Sequence, residues 1–472
     1  MLMMFSVTYV LPLATSIIYQ DGQILDFVMA AIVCLAAGGV VWFATRRHKR
    51  ELRARDGFLL VTLAWVLMSA IATVPLLIAI PGLSFTDAFF ETMSGLSTTG
   101  ATVLVGLEYL PPSINLWRHA LNWYGGMGII VLVVAILPLL GVGGMQVYKA
   151  ETPGPMKNDK LTPRITQTAR ALWFVYFLIT IACVLSLRAA GMGWFDAVCH
   201  AFAALALGGF STYDASVGHF DSPAIEAVLI VFMLIAAMNF SRHFIAWQQK
   251  SLRTYLEDAE ARALLLIVGL STVGLAGYIW LEGVYPSFGT SFRHVAFNLV
   301  SIATDCGFVS QDYAVWPVLA PMWILMLSCY CANTGSTGGG IKMFRTLVLF
   351  EQAGRELARL VHPQAVAPVR VGGQVVANQI VFAVLAFVVL YFGTVVALTF
   401  ALLASGLDFV SSFSAIIACI NNAGPGLGVV GPASNFQGLS DFQTWVCSLA
   451  MLLGRLEIFS VLVLLTPTYW RK

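Results

Sequence analysis

Charged side chains are scarce in this chain of 472 residues, where Asp, Glu, Lys and Arg together make up 11%. Soluble domains carry about a quarter, so a soluble globular protein is excluded. Apolar residues reach 59%, and they are gathered into runs that suit the thickness of a bilayer. The composition therefore predicts a polytopic membrane protein, with the lipid bilayer as a partner and no nucleic acid.

Metal-binding and catalytic patterns are also missing. The eight cysteines lie in or beside apolar segments, and none of their spacings is typical of a zinc or iron–sulfur site. Asp196, His200 and His294 stand singly at the starts of short apolar segments, where capping or interface roles are the simpler interpretation. The sequence does not predict an enzyme.

Four apolar segments are too short to cross a bilayer, which takes about 20 residues. The first runs from Phe85 to Leu96 and stops at Ser97-Thr98-Thr99-Gly100-Ala101-Thr102. Irregular backbone at membrane depth is tolerated only where it is buried in protein or lines a water-filled cavity. This stretch therefore predicts a re-entrant half-helix whose tip lines a pore. For any single segment, an ordinary glycine-rich turn is the plainer interpretation.

The pattern occurs four times, which favours an internal repeat around one axis. The segments align on Gly100, Gly209, Gly307 and Gly424, which are 109, 98 and 117 residues apart. Fifteen positions before each glycine stands an aromatic residue: Phe85, Trp194, Phe292 and Phe409. The residues predicted to line the pore are Thr98, Thr99, Gly100, Leu207, Gly208, Gly209, Asp305, Cys306, Gly307, Asn422, Ala423 and Gly424.

Four loops that converge on one axis have a physical use. A ring of backbone carbonyls can replace the hydration shell of a potassium ion. Glycine lets four chains approach closely and adopt the backbone angles required, and the partly negative C-terminal end of each half-helix would face the ion. The loops are therefore predicted to form a selectivity filter with K⁺ as the transported ion.

The predicted fold class is all-α: two extra N-terminal transmembrane helices precede four repeats of helix, half-helix, filter loop and helix around a central pore. The predicted units are residues 1–50, 51–150, 151–255, 256–370 and 371–472. The second helix of each repeat is predicted at 115–139, 222–247, 317–350 (broken) and 440–465. With every repeat starting and ending in the cytoplasm, 22 of the 26 Lys and Arg residues lie on that side, as the positive-inside rule requires. Both termini are then cytoplasmic.

The last helix of repeat three contains the run Gly335-Ser336-Thr337-Gly338-Gly339-Gly340, followed by Lys342. A run of small and polar residues does not stay helical. A flexible loop under the filter is a candidate gate, and a tight helix crossing or a plain kink is the alternative.

Arg455 is predicted to lie inside the last long helix. An intramembrane arginine usually faces a cavity or a partner. Facing the pore, Arg455 would raise the barrier to a cation and act as a constriction. Paired with an acid or with loop carbonyls, it would be structural.

Several of these motifs resemble the superfamily of K⁺ transporters that includes the Trk, Ktr and plant HKT proteins. The resemblance covers nearly the whole chain, and the two extra N-terminal helices resemble the Trk membrane subunits. Glycine at all four aligned positions resembles the K⁺-preferring pattern of the superfamily. Loops two to four depart from it, because Leu207, Asp305 and Asn422 stand near positions where Thr or Ser is common. The motifs are Trp123-Tyr124-Gly125-Gly126-Met127-Gly128, Gly141-Val142-Gly143-Gly144, Pro153-Gly154-Pro155-Met156-Lys157, Asp159-Lys160-Leu161-Thr162-Pro163-Arg164, the Gly335–Gly340 run, Gly454-Arg455-Leu456-Glu457 and Leu465-Thr466-Pro467.

The resemblance implies a homodimer with one pore per subunit in a bacterial inner membrane. It also implies a cytosolic ring of TrkA-type regulatory subunits, and nucleotide is expected only on that partner. The 335–340 loop would be the gate and Arg455 a pore-facing constriction. A symporter that couples K⁺ to H⁺ or Na⁺ and uses the same loops as a binding site stays open, although transporters of that kind usually have inverted repeats.

Overall fold

The computed structural model describes residues 1–47, 54–131 and 165–471, and these residues are mostly helical. The sheet found in them is one antiparallel hairpin, Arg370–Val371 with Gln374–Val375. Six helices in the described residues are long and apolar enough to cross a membrane, or up to eight if each of two bent helix pairs is one span. The predicted polytopic all-α class is confirmed.

Two N-terminal helices pack against the first repeat. The first covers Leu2–Tyr19, with a 3-10 turn at Ser6–Tyr9, and the second covers Ile24–Thr45. Tyr9 stacks on Trp117 with ring centroids 4.6 Å apart. Asp21, in the turn between the helices, accepts hydrogen bonds from Ser16 Oγ and from the backbone N–H of Ser113.

Each repeat opens with a long helix that is followed by a short buried one. The long helices are Ala54–Ala72 with Val74–Ala79, Ile165–Ala189, Ala259–Leu281 and Asn378–Ala404. The short helices, called half-helices 1 to 4, are Phe85–Leu96, Trp194–Ala206, Phe288–Ala303 and Phe409–Asn421. With 12 to 16 residues each, the half-helices rise about 18 to 24 Å, less than the bilayer core of about 30 Å.

Polar caps fix the starts of three half-helices. Ser84 accepts from the N–H of Asp87, Ser287 from that of Thr290, and Asp408 from that of Ser411. These bonds satisfy N–H groups that the first helical turn leaves without a partner. At Asp408, the hydrogen bonds from the backbone and side chain of Ser411 also lower the pKa of the carboxyl group.

The second helices of repeats two, three and four do not run straight through the bundle. In repeat three the helix ends at Ser328 and resumes at Met343, near the predicted break. The prediction of continuous helices at 222–247 and 440–465 is wrong. Pro223–Ala237 meets Phe240–Gln249 at a bend of 98°, and Asp441–Arg455 meets Ile458–Leu465 at 111°. In repeat one the helix Pro112–Val131 is described, and the rest of the predicted 115–139 lies outside the described residues.

Local backbone geometry explains the two unexpected bends. Met238 and Asn239 are extended, and the side chain of Asn239 caps the next helix by accepting from the N–H of Ser241. Glu457 has a φ of 58°, which a helix cannot continue through. The motifs at 141–144, 153–157 and 159–164 lie outside the described residues.

Candidate cation pathway at the axis of the four repeats

The four aligned glycines share one backbone conformation. The φ angle is 82° at Gly100, 57° at Gly209, 93° at Gly307 and 86° at Gly424, in the region that favours glycine. The residue two positions earlier is also left-handed in every loop, with φ between 53° and 66°, although none is glycine: Thr98, Leu207, Asp305 and Asn422. The loops after the four half-helices, called loops 1 to 4, therefore have the same shape despite different side chains.

Close contacts join the four loops into a closed ring. A Cβ atom added to Gly100 would lie against the carbonyl oxygen of Gly208 in loop 2. The same holds from Gly209 to Cys306, from Gly307 to Ala423, and from Gly424 back to Thr99. In each case the distance would be 2.9 Å or less. The loops thus follow one another in chain order around an axis, and each glycine packs on the carbonyl just before the next glycine.

Two of the predicted lining side chains, Thr99 and Asn422, bond to each other. Thr99 Oγ1 is 2.7 Å from Ser97 Oγ and accepts from Asn422 Nδ2 at 2.9 Å. Asn422 Nδ2 also donates to the carbonyl of Met451 at 3.1 Å. These bonds hold loops 1 and 4 to each other and to the second helix of repeat four.

The remaining lining side chains are buried. Leu207, Cys306 and Ala423 lie in the protein core. Thr98 Oγ1 is buried and has no hydrogen-bond partner among the described residues. The loops therefore offer backbone carbonyls, which contact the ring glycines, and the unbonded side-chain oxygens Thr98 Oγ1, Asp305 Oδ1 and Asn422 Oδ1. The described residues contain no group of three His, Cys, Asp or Glu side chains that could hold a metal ion.

One side of the ring opens into a small cavity with a mixed polar and apolar lining, called the mouth. All four ring glycines line it, together with residues such as Thr102, Ser211 and Asn435, and its volume is about 70 Å³. A cavity of this size holds one or two waters or a small ion. The mouth therefore lies directly against the four ring glycines.

The loop 329–342 contacts the opposite side of the ring. The N–H of Gly339 donates to Asp305 Oδ2 at 3.0 Å, and Thr337 Oγ1 donates to the carbonyl of Leu205 at 3.0 Å. A Cβ at Gly339 would collide with the carbonyl oxygen of Asn421. The loop thus touches the C-terminal ends of half-helices 2, 3 and 4.

Other residues of the predicted gate hold the loop in this shape. Lys342 has a φ of 76°, and its Nζ donates to the carbonyl of Gly338. The N–H of Phe240 donates to the carbonyl of Gly335 at 3.1 Å, which ties the loop to the bend in repeat two. Ser336 is buried and Gly340 has a φ of 70°. The 335–340 run is therefore ordered by specific contacts in this conformation.

Arg455 is the last residue of its helix and does not lie inside it, because the chain turns by 111° immediately afterwards. The side chain is 3% exposed. Its Nη1 donates to the carbonyl of Thr337 at 2.8 Å and its Nη2 to that of Gly125 at 3.0 Å. Gly125 belongs to repeat one and Thr337 to repeat three, which face each other across the ring. Arg455 thus bridges carbonyls on opposite sides of the axis.

Two charged residues that the sequence analysis does not single out, Glu91 and Arg118, are buried beside loop 1. Arg118 Nε donates to Glu91 Oε1 at 2.8 Å, and each side chain is 1% exposed. Sequence reasoning missed this pair because the two residues lie 27 positions apart on different helices. The signal that was available is their position inside apolar segments, where an unpaired charge is costly.

Four half-helices whose loops close into one ring in the middle of a bundle of apolar helices are typical of a membrane transport protein. The family model of the TrkH cation transport proteins matches residues 23–472. The chain therefore belongs to the TrkH family.

Full-length relatives are closely similar. The chain is 47% identical to "Trk system potassium uptake protein TrkH" of Vibrio parahaemolyticus and 45% identical to that of Salmonella typhimurium, covering 100% of this chain and 98% of each relative. The crystal structure of the potassium transporter TrkH from Vibrio parahaemolyticus matches with a TM-score of 0.91 at 45% identity, over 100% of this chain and 97% of that one.

Proposed function

We propose that this chain transports K⁺ across the membrane through the carbonyl ring of loops 1 to 4. The closed cycle of glycine-to-carbonyl contacts carries the proposal, because a ring of carbonyl dipoles suits a dehydrated K⁺ ion. The relatives named as potassium uptake proteins support the choice of ion.

Uptake through such a pore needs no chemistry in this chain. The membrane potential supplies about 2.3 kcal/mol per charge per 100 mV, enough to draw a cation inward. The C-terminal ends of the half-helices add a favourable field at the ring. The family's description as cation transport proteins is in keeping with a membrane transporter that has no enzymatic activity.

The loop 335–340 with Lys342 is proposed as the gate. It lies against the ring on the side away from the mouth and contacts three half-helices, so a cation leaving the ring meets this loop. Arg455 is proposed as the constriction. Its bonds to the carbonyls of Thr337 and Gly125 are those expected of a structural residue, and they also hold its charge across the proposed path.

The assembly is proposed from the resemblance. A homodimer with one pore per subunit would sit in a bacterial inner membrane with both termini in the cytoplasm. A cytosolic ring of TrkA-type subunits would bind the nucleotide and act on the gate. The division into units at 1–50, 51–150, 151–255, 256–370 and 371–472 belongs to the same proposal.

Ion flux into proteoliposomes that hold this chain tests the proposal. K⁺, Rb⁺, Na⁺ and Li⁺ are compared at one pH under an imposed voltage, with protein-free vesicles as the control. We expect K⁺ and Rb⁺ to enter faster than Na⁺ and Li⁺. Equal rates for all four ions would contradict a selective carbonyl ring.

A K⁺ symporter coupled to H⁺ or Na⁺ is the second candidate. The fully buried carboxyl group of Asp305, which accepts from Gly339 beside the ring, is the observation that favours it, because buried acids mark proton relays in transporters. The same loops would then act as the K⁺-binding site.

A further inference from the structure

Each half-helix carries a polar side chain that bonds to its own loop just beyond the ring glycine. The residues two and three positions after that glycine are called the exit limb of the loop. The polar residue stands nine positions before the glycine in repeats one to three and ten before it in repeat four. The four residues are Glu91, His200, Asn298 and Ser414.

The bonds have ordinary hydrogen-bond lengths, and the groups that make them are buried. Asn298 Oδ1 accepts from the N–H of Ser310 at 3.1 Å, and Ser414 Oγ accepts from that of Leu427 at 2.8 Å. His200 Nε2 lies 3.0 Å from Ser211 Oγ. Each half-helix thus fixes the height at which its own loop leaves the ring.

Repeat one is different because its polar residue is a carboxylate. Glu91 Oε2 accepts from the N–H of Val103 at 3.1 Å, and both carboxylate oxygens lie 3.0 Å from the hydroxyl of Thr102. A carboxylate buried at this depth needs a positive partner. Arg118, from the second helix of the repeat, supplies it at 2.8 Å.

Arg118 also reaches the neighbouring loop. Its Nη1 donates to the carbonyl of Ser211 in loop 2 at 3.3 Å, and its Nη2 donates to Thr102 Oγ1 in loop 1 at 3.3 Å. The guanidinium carbon lies 4.4 Å from the ring centroid of Phe210. One buried charge therefore contacts the exit limbs of two adjacent loops.

We propose that the Glu91–Arg118 ion pair positions loops 1 and 2 against each other and thereby contributes to the cation selectivity of the ring, an inference that rests on the proposed function. Neither residue contributes an oxygen to the carbonyl ring, so both act through the backbone of the loops. Removal of one partner leaves the other as an uncompensated buried charge, and the exit limbs then shift to accommodate it. A ring with a changed spacing loses its preference for K⁺ over Na⁺.

The test measures the K⁺-to-Na⁺ permeability ratio of the full-length protein in proteoliposomes. We expect Glu91→Gln to lower the ratio by about tenfold, equivalent to roughly 1.4 kcal/mol. Gln preserves the shape and the acceptor oxygen but removes the charge. A purely structural role would reduce the amount of active protein and slow both ions together, leaving the ratio unchanged.

Arg293→Gln is the matched control. Arg293 Nη2 bonds to Glu226 Oε1 at 2.7 Å in another ion pair between a half-helix and a second helix, and its bonds go to Glu226 and Asp221. We expect this variant to keep the parent ratio. A loss equal to that of Glu91→Gln would mean that any broken ion pair relaxes the ring, and the specific role of Glu91 and Arg118 would be rejected.

Thr102→Val serves if Glu91→Gln fails to assemble. It keeps the ion pair and the side-chain shape but removes the hydroxyl that both charged groups contact. We expect a fall of about threefold in the ratio, equivalent to roughly 0.6 kcal/mol. If Glu91→Gln and Thr102→Val both keep the permeability ratio of the parent while Gly100→Ser lowers it, this inference is overturned and the proposed carbonyl ring is retained. A parent protein without a preference for K⁺ would overturn both this inference and the proposed function.

Discussion

Two separate constraints, one on the backbone angle and one on the space for a Cβ atom, require glycine at position 100. Its φ of 82° disfavours any side chain, and a Cβ would collide with the carbonyl of Gly208 in the next loop. Gly82 shares the first demand, with a φ of 81°, but has open space around it. The two glycines therefore separate backbone strain from crowding at the ring.

We expect Gly100→Ser to lower the K⁺-to-Na⁺ permeability ratio by about tenfold, a change of roughly 1.4 kcal/mol. The new side chain displaces the Gly208 carbonyl and changes the ring. Gly424→Ser should act in the same way, because its Cβ would meet the carbonyl of Thr99. Flux assays in proteoliposomes measure the ratio. Gly82→Ser is the control, and an unchanged ratio in both ring variants would reject the four-loop filter.

In the proposed pathway, Arg455 places a positive charge beyond the ring, where it bonds to the carbonyls of Thr337 and Gly125. We expect Arg455→Gln to raise K⁺ flux by about tenfold, since removing the charge lowers the barrier by roughly 1.4 kcal/mol. Single-channel or vesicle flux recordings measure the change. Arg188→Gln, which removes a hydrogen bond to the Met192 carbonyl at a helix end, should leave the flux unchanged. Slower flux in Arg455→Gln would assign the residue a structural role.

At the scale of elements, the second helices of repeats two, three and four all break where they reach the half-helix ends. The backbone of repeat four comes so close there that a Cβ at Gly454 would collide with the carbonyl of Ile420. In repeat three Gly339 packs in the same way against Asn421. Breaks at this level free backbone groups that bond across repeats, as Phe240 does with Gly335.

We expect Gly339→Ala to raise K⁺ flux in the absence of any cytosolic partner. The methyl group cannot fit against the carbonyl of Asn421, so the loop 335–340 moves away from the ring. Gly354→Ala is the matched control, because Gly354 follows in the next helix and has open space around it. Shortening the run Gly335–Gly340 should act like Gly339→Ala. Equal flux in parent and both altered loops would reject this loop as the gate.

At the scale of the whole molecule, four repeats that run in the same direction around one ring favour a pore over alternating access between inverted halves. We expect K⁺ flux to follow the imposed voltage and to be unaffected when the pH gradient is collapsed. Vesicle flux with each gradient clamped separately measures this dependence. Flux that needs a proton or sodium gradient would favour the symporter, and Asp305→Asn would then be the first variant to examine.

Length, hydropathy and the recurrence of glycine after a truncated helix are enough to predict the fold class of this protein from its sequence. These are local and periodic signals, and the bilayer leaves few ways to satisfy the backbone of a short helix. The four-repeat fold is accordingly confirmed. The assignment of the loop residues to a K⁺ filter stays a prediction.

Only the tertiary structure decided how the repeats fit together. The bends after Ala237 and Arg455 depend on packing against half-helix ends from other parts of the chain, which local hydropathy does not report. The carbonyl partners of Arg455 and the pairing of Glu91 with Arg118 are likewise long-range contacts. Sequence spacing predicts a helix or a turn, but the choice of partner across the axis arises from the close approach of four separate loops.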